Sequence, residues 1–196
     1  MAAQDRELLL AAFERIAQEG EASLDLAVLA RDLGRPLGEV VTALGGRDGL
    51  ITALARHLDA AMLAIDPADL AAMSVRERLF ELMMRRFETL QPFRAGVKRL
   101  MRDRRGDPQA ALVAMCRLDR VTGWLIDAAA IGARGPLRRL VQLALAAVYA
   151  RAFRAWLDDE SADLAATMAE LDKRLEQAER AARWLPGQPP RAAEAA

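Results

Sequence analysis

The chain reads as all-helical, with a helix-turn-helix head followed by a longer helical bundle. Ala, Leu, Arg and Glu dominate its 196 residues and β-branched runs are few, a composition that favours helix. Apolar residues recur at three- and four-residue spacing along segments divided by Gly and Pro. Residues 25–50 hold a short helix, a Gly-bearing turn and a second short helix. The length suffices for one large or two small helical domains with a buried core.

Taken in order, the first helix runs from about Asp5 to Glu19, because Leu9, Ala12, Phe13 and Ile16 make one apolar stripe and Gly20 ends it. Asp25 is the N-cap of helix two, and Gly34 closes it. Pro36 stands at or just before the start of helix three, where its missing N–H costs nothing. Gly45 and Gly46 break that helix. A fourth spans about Arg47 to Ile65, with Leu50, Leu54, Leu58, Met62 and Ile65 on one side. Pro67 and the Ala/Asp stretch after it mark the boundary between a head, residues 1–65, and a bundle, residues 70–185.

Ser74-Val75-Arg76-Glu77 is a capping box that opens helix five, which continues through Leu79, Phe80, Met83, Met84 and Phe87 to about Leu90. Pro92 starts helix six and Gly106 ends it. Asp107-Pro108 opens helix seven, which passes Trp124 to about Ile131. After Gly132, Gly135 and Pro136, helix eight spans about Leu137 to Leu157. Its apolar circumference predicts burial on more than one side. A charged corner at Asp158–Ser161 leads to helix nine, about Ala162 to Leu185, and residues 186–196 read as a disordered tail.

The formal charge of zero conceals an asymmetry. Residues 1–50 carry nine acids and five bases, net −4, so the remainder is +4, the reverse of the usual DNA-binding head. Residues 85–105 concentrate eight cations, Arg85, Arg86, Arg94, Lys98, Arg99, Arg102, Arg104 and Arg105, against Glu88 and Asp103. One cysteine, Cys116, rules out an internal disulfide and sits among apolar neighbours that predict burial. His57 alone offers no zinc site, and no carboxylate or nucleophile has a recognisable spacing to it. No catalytic residue, metal or cofactor is expected. The amino terminus lacks the positive-then-apolar order of a secretory signal, and the longest uncharged apolar run, Leu140–Ala150, is too short to span a bilayer. A cytoplasmic protein is expected.

The head resembles that of the TetR family of one-component bacterial repressors. Gly34, Gly38, Leu44, Arg47 and Leu50 occupy the positions of that family's turn glycine, small residue, second aromatic, lysine and helix-four leucine. Val41 and Ala43 depart from it, standing where the family has phosphate-contacting Tyr and His or Tyr. In the second half, Val75–Phe87, Gln91–Arg94 and above all Trp156–Arg174 resemble a pattern shared by some TetR-type regulators and by the ubiquinone-biosynthesis accessory family. The second resemblance implies a TetR-like fold that binds lipid or isoprenoid and has abandoned the DNA-reading surface.

The resemblances imply a homodimer that binds operator DNA under control of an apolar small-molecule effector, or a lipid-binding protein with no operator. For DNA the candidates are Arg35 and Arg47 on phosphate, Thr42 on a base or phosphate, Ala43 on a thymine methyl, and Gly38 at the close approach. Helix three otherwise carries only Glu39 as a charge. For an apolar pocket in the bundle the candidates are Met83, Phe87, Met101, Met115 and Trp124. For the dimer, Leu164, Met168, Leu171 and Leu175 stripe helix nine.

Overall fold

The computed structural model describes residues 3–183, and every regular element among them is helical. Helix α1, Ala3–Glu19, ends at Gly20, and a 3-10 turn at Glu21–Ser23 leads to α2, Leu26–Asp32. The Asp25 carboxylate accepts from the Ala27 and Val28 N–H groups, the expected N-cap. Gly34 takes the left-handed φ of +63° that turns the chain into α3, Leu37–Leu44. Helix α4, Gly46–Leu63, follows after Gly45. A short helix not foreseen from the sequence, α5, Pro67–Ala71, is capped by Asp66.

The capping box is present in full at α6, Val75–Leu90: Ser74 Oγ accepts from Glu77 N–H and the Glu77 carboxylate from Ser74 N–H. A 3-10 turn at Gln91–Phe93 leads to α7, Arg94–Asp103, so the segment opened by Pro92 divides in two. Helix α8, Pro108–Ala128, is capped by Asp107; α9 is Gly135–Asp158 and α10 is Ala165–Ala182. The tail expected at residues 186–196 lies outside the described residues.

One hydrophobic core runs through both segments. It joins Leu8, Leu9, Phe13 and Ile16 of α1 with Leu82, Met83, Phe87 and Phe93, and with Leu125, Trp156 and Leu171. Helix α1 packs along α7, and α4 along α6. The α1–α7 approach is close enough that a Cβ on Gly96 would lie 2.4 Å from the Phe13 carbonyl oxygen. Only glycine fits there.

Helix α9 corrects the expectation of burial on several sides. Leu145, Val148, Ala152 and Trp156 are buried, but Leu137, Leu140 and Leu143 are 37%, 49% and 53% exposed. By length and composition α9 is apolar enough to cross a membrane, contrary to the reading from the Leu140–Ala150 run, and 22% of its most apolar window is buried. It packs against α8 and α10 on one side and leaves a Leu-bearing face uncovered.

The charged corner after α9 serves α10. Asp159 is 4% exposed, and its carboxylate accepts from the Ser161 and Thr167 N–H groups and from both hydroxyls. Burial pushes its pKa up, but the bonds from Ser161 and Thr167 outweigh it and hold the group at about 2.

Candidate functional site

The helix-turn-helix frame is complete in backbone, yet its outer surface is apolar or acidic. Leu37 and Val41 are 45% and 41% exposed on α3, beside Gly38, Glu39 and Thr42. Val40 and Leu44 face the core, and Ala43 is half-buried against it. Arg35, expected on phosphate, is paired to Glu39 at 3.3 Å and also donates to the Gln4 carbonyl at 3.2 Å. The Thr42 hydroxyl donates to the Gly38 carbonyl at 2.7 Å, within its own helix. Arg47 falls in the first turn of α4, and its side chain lies outside the described residues.

The head is fixed to the bundle by buried polar contacts. Arg86, 5% exposed, pairs with Asp59 of α4 and donates through Nε to the Tyr149 hydroxyl of α9 at 3.0 Å. Burial opposes its charge, but Tyr149 and Asp59 overcome this and raise its pKa. Breaking such a pair from one side is strongly destabilising, because the other charge stays buried. The basic run gave Arg86 no special status, although its spacing of three from Met83 and four from Leu82 places it on the apolar face of α6. That spacing was the available signal.

Further contacts cross the same junction. Arg117 donates to the Ile51 carbonyl and the Thr52 hydroxyl, and burial lowers its pKa. Arg104 clasps the Glu21 carboxylate, and Asp103 accepts from Glu21 N–H at 3.0 Å. His57 of α4 packs edge-on to Phe93 at 6.0 Å, and burial followed by Arg6 lowers its pKa.

The five residues expected to line one pocket do not come together. Met83 and Phe87 are fully buried in the core, Phe87 stacked on Tyr149, whereas Met101, Met115 and Trp124 are 49%, 69% and 43% exposed. Cys116 is likewise exposed, because the first turns of α8 lack a packing neighbour. The stripe expected at a dimer interface faces inward. Leu164, Leu171 and Leu175 are buried within the chain and Met168 is half-buried against the same core, since α10 turns that face onto α9 and α6.

The surface among the described residues includes two grooves of note. One of about 700 Å³, between α6 and α10, has a mixed polar and apolar lining that includes Phe80 and the Arg76–Asp172 pair. The other, about 420 Å³, lies between α4, α5 and the end of α8 and is lined by Leu63, Ile65, Pro67, Leu70, Ala128 and Ala130. Arg78 closes its base by donating to the Leu70, Met73 and Ala129 carbonyls. Its size and apolar lining suit a hydrophobic ligand.

The COQ9 family model matches residues 141–182, which are most of α9 and α10. No curated protein matches the chain in sequence. A TetR transcriptional regulator from Nitrosomonas europaea ATCC 19718 is similar in structure, with a TM-score of 0.74 and 22% identity over 89% of this chain and 98% of that one. The chain therefore has a TetR-like all-α fold, with a COQ9-like sequence in its last two helices.

Proposed function

We propose that this chain is a TetR-fold binding protein for an apolar, isoprenoid-type lipid, of the kind that assists ubiquinone biosynthesis, and acts without reading an operator. The carrying observation is the state of α3. An operator reader needs side chains that reach base edges and cations free for phosphate. Here Arg35 is engaged by Glu39, the Thr42 hydroxyl is engaged by Gly38, and the large apolar side chains that α3 exposes are Leu37 and Val41. The likeness of α9 and α10 to COQ9 supports the same reading. The proposed seat for the lipid chain is the apolar groove between α4, α5 and α8.

The experiment is a thermal-shift titration with a polyprenyl phenol. The melting temperature should rise with ligand, as binding to the folded state alone requires, and Leu63→Asp with Ile65→Asp should abolish the rise. A flat titration would remove the cargo. The chain is further proposed to be a homodimer, through the exposed Leu137, Leu140 and Leu143 face of α9 in place of the buried α10 stripe.

A second reading, a regulator whose DNA binding responds to an apolar effector, is favoured by one observation: the likeness to the Nitrosomonas regulator covers 89% of the chain. It would leave Arg47 to hold phosphate. Specific retention of the upstream region of its own gene at about 50 mM salt, falling steeply as salt rises, would support it.

A further inference from the structure

Where α7 passes into α8, apolar and cationic side chains are exposed together. Residues Ala111, Leu112, Val113, Ala114, Met115 and Cys116 are consecutive and all exposed, Leu112 by 61% and Met115 by 69%. The buried residues of α8 are Val121, Thr122, Leu125 and Ile126, and Arg117 bonds α4, whereas residues 111–116 before them are exposed. An uncharged, exposed helical segment of this kind is a surface waiting for an apolar phase.

The flank of this segment is positive. Lys98, Met101 and Arg102 follow the spacing i, i+3 and i+4 on α7, Lys98 half-buried and the other two exposed, and Arg105 is exposed in the turn that follows. Met101 is 49% exposed. The acids of the corner are occupied: Asp103 by Arg99 and Glu21 N–H, Glu21 by Arg104, and Asp107 by the Gln109 and Ala110 N–H groups that it caps. Among the described residues Lys98, Arg102 and Arg105 form no ion pair.

We propose that this corner docks on an anionic lipid surface, with Leu112, Val113 and Met115 entering the acyl boundary and Lys98, Arg102 and Arg105 lying at the phosphates. An apolar insertion beside a cluster of cations is the arrangement that interfacial binding requires. A second copy of the chain is the poorer occupant. A twofold contact sets a patch against itself, and would bring each unpaired cation toward its own mate. The proposal is independent of the cargo groove, which lies at the other end of α8.

The test is co-sedimentation of the full chain with phosphatidylcholine vesicles, with and without phosphatidylglycerol and free of isoprenoid, so a failed cargo reading leaves the result intact. The wild type should pellet with anionic vesicles and release with added salt. Leu112→Ser with Met115→Ser, and separately Arg102→Glu with Arg105→Glu, should each weaken binding by about tenfold or more. Both pairs are exposed, so circular-dichroism melting should be unchanged. An environment-sensitive fluorophore on Cys116, the only cysteine, should shift to the blue on anionic vesicles. Wild type left in the supernatant, or variants that pellet like wild type, would overturn the proposal. So would an unmoved fluorophore beside a dimer that the Leu112/Met115 variant converts to monomer.

Discussion

Asp159 is a small anion-binding network inverted: one buried carboxylate serves as acceptor for two N–H groups and two hydroxyls at the start of α10. Its folded pKa of about 2 lies below the unfolded value of 3.8, so its contribution is complete above the unfolded value and lost as pH falls through about 2. At 1.36 kcal/mol per unit this is about 2 kcal/mol. Asp159→Asn should lose that amount at neutral pH, with the gap to wild type closing on acid titration of the chemical-denaturation midpoint. His57 has the same direction of shift but the opposite charge consequence. Its folded pKa is lowered from 6.5 by burial, so the unfolded state binds the proton more tightly, and stability declines as pH falls through that value. His57→Gln should flatten the decline. Gly96→Ala should cost about 1–3 kcal/mol by denaturant melting, since the new Cβ meets backbone that cannot rotate away. The sequence placed Asp159 in a charged corner and no more. Its partner Thr167 lies a turn into the next helix, a contact that only the tertiary path creates.

Local signals sufficed for the elements that depend on local bonds. Asp25, Ser74 with Glu77, and Asp107 each start a helix where the capping pattern places one. Ser74→Ala should lower stability by about 1 kcal/mol, read as a shifted urea midpoint, and Glu77→Ala in the same chain should add little, because the two bonds form as a unit. Helix α9 was legible in extent but not in environment. Its apolar circumference measures composition, whereas burial depends on how many neighbours reach it, and α6, α8 and α10 together leave its Leu137, Leu140 and Leu143 face uncovered. The same reason explains Cys116 and Met115, whose apolar surroundings in sequence are themselves exposed. For α3 the residue types gave the right surface, but the engagement of Arg35 by Glu39 depended on a rotamer that spacing alone permits without requiring.

At the scale of the molecule, a TetR-like frame is retained while the charge that usually accompanies it has moved. The first 50 residues are net −4, and cations without an ion pair, Lys98 and Arg102 among them, lie beyond the head. Residual DNA binding, if assayed at low salt, should have a shallow salt slope, because few cations remain for counterion release. Leu140→Glu with Leu143→Glu should give monomers in sedimentation velocity at micromolar concentration, with helicity retained because both side chains face solvent. The central claim is that this frame carries an apolar lipid in place of an operator. Native mass spectrometry of the full chain, offered a polyprenyl phenol and a duplex from upstream of its own gene together, tests it most directly. A lipid adduct with no DNA complex is predicted; a DNA-bound dimer free of lipid would contradict the account.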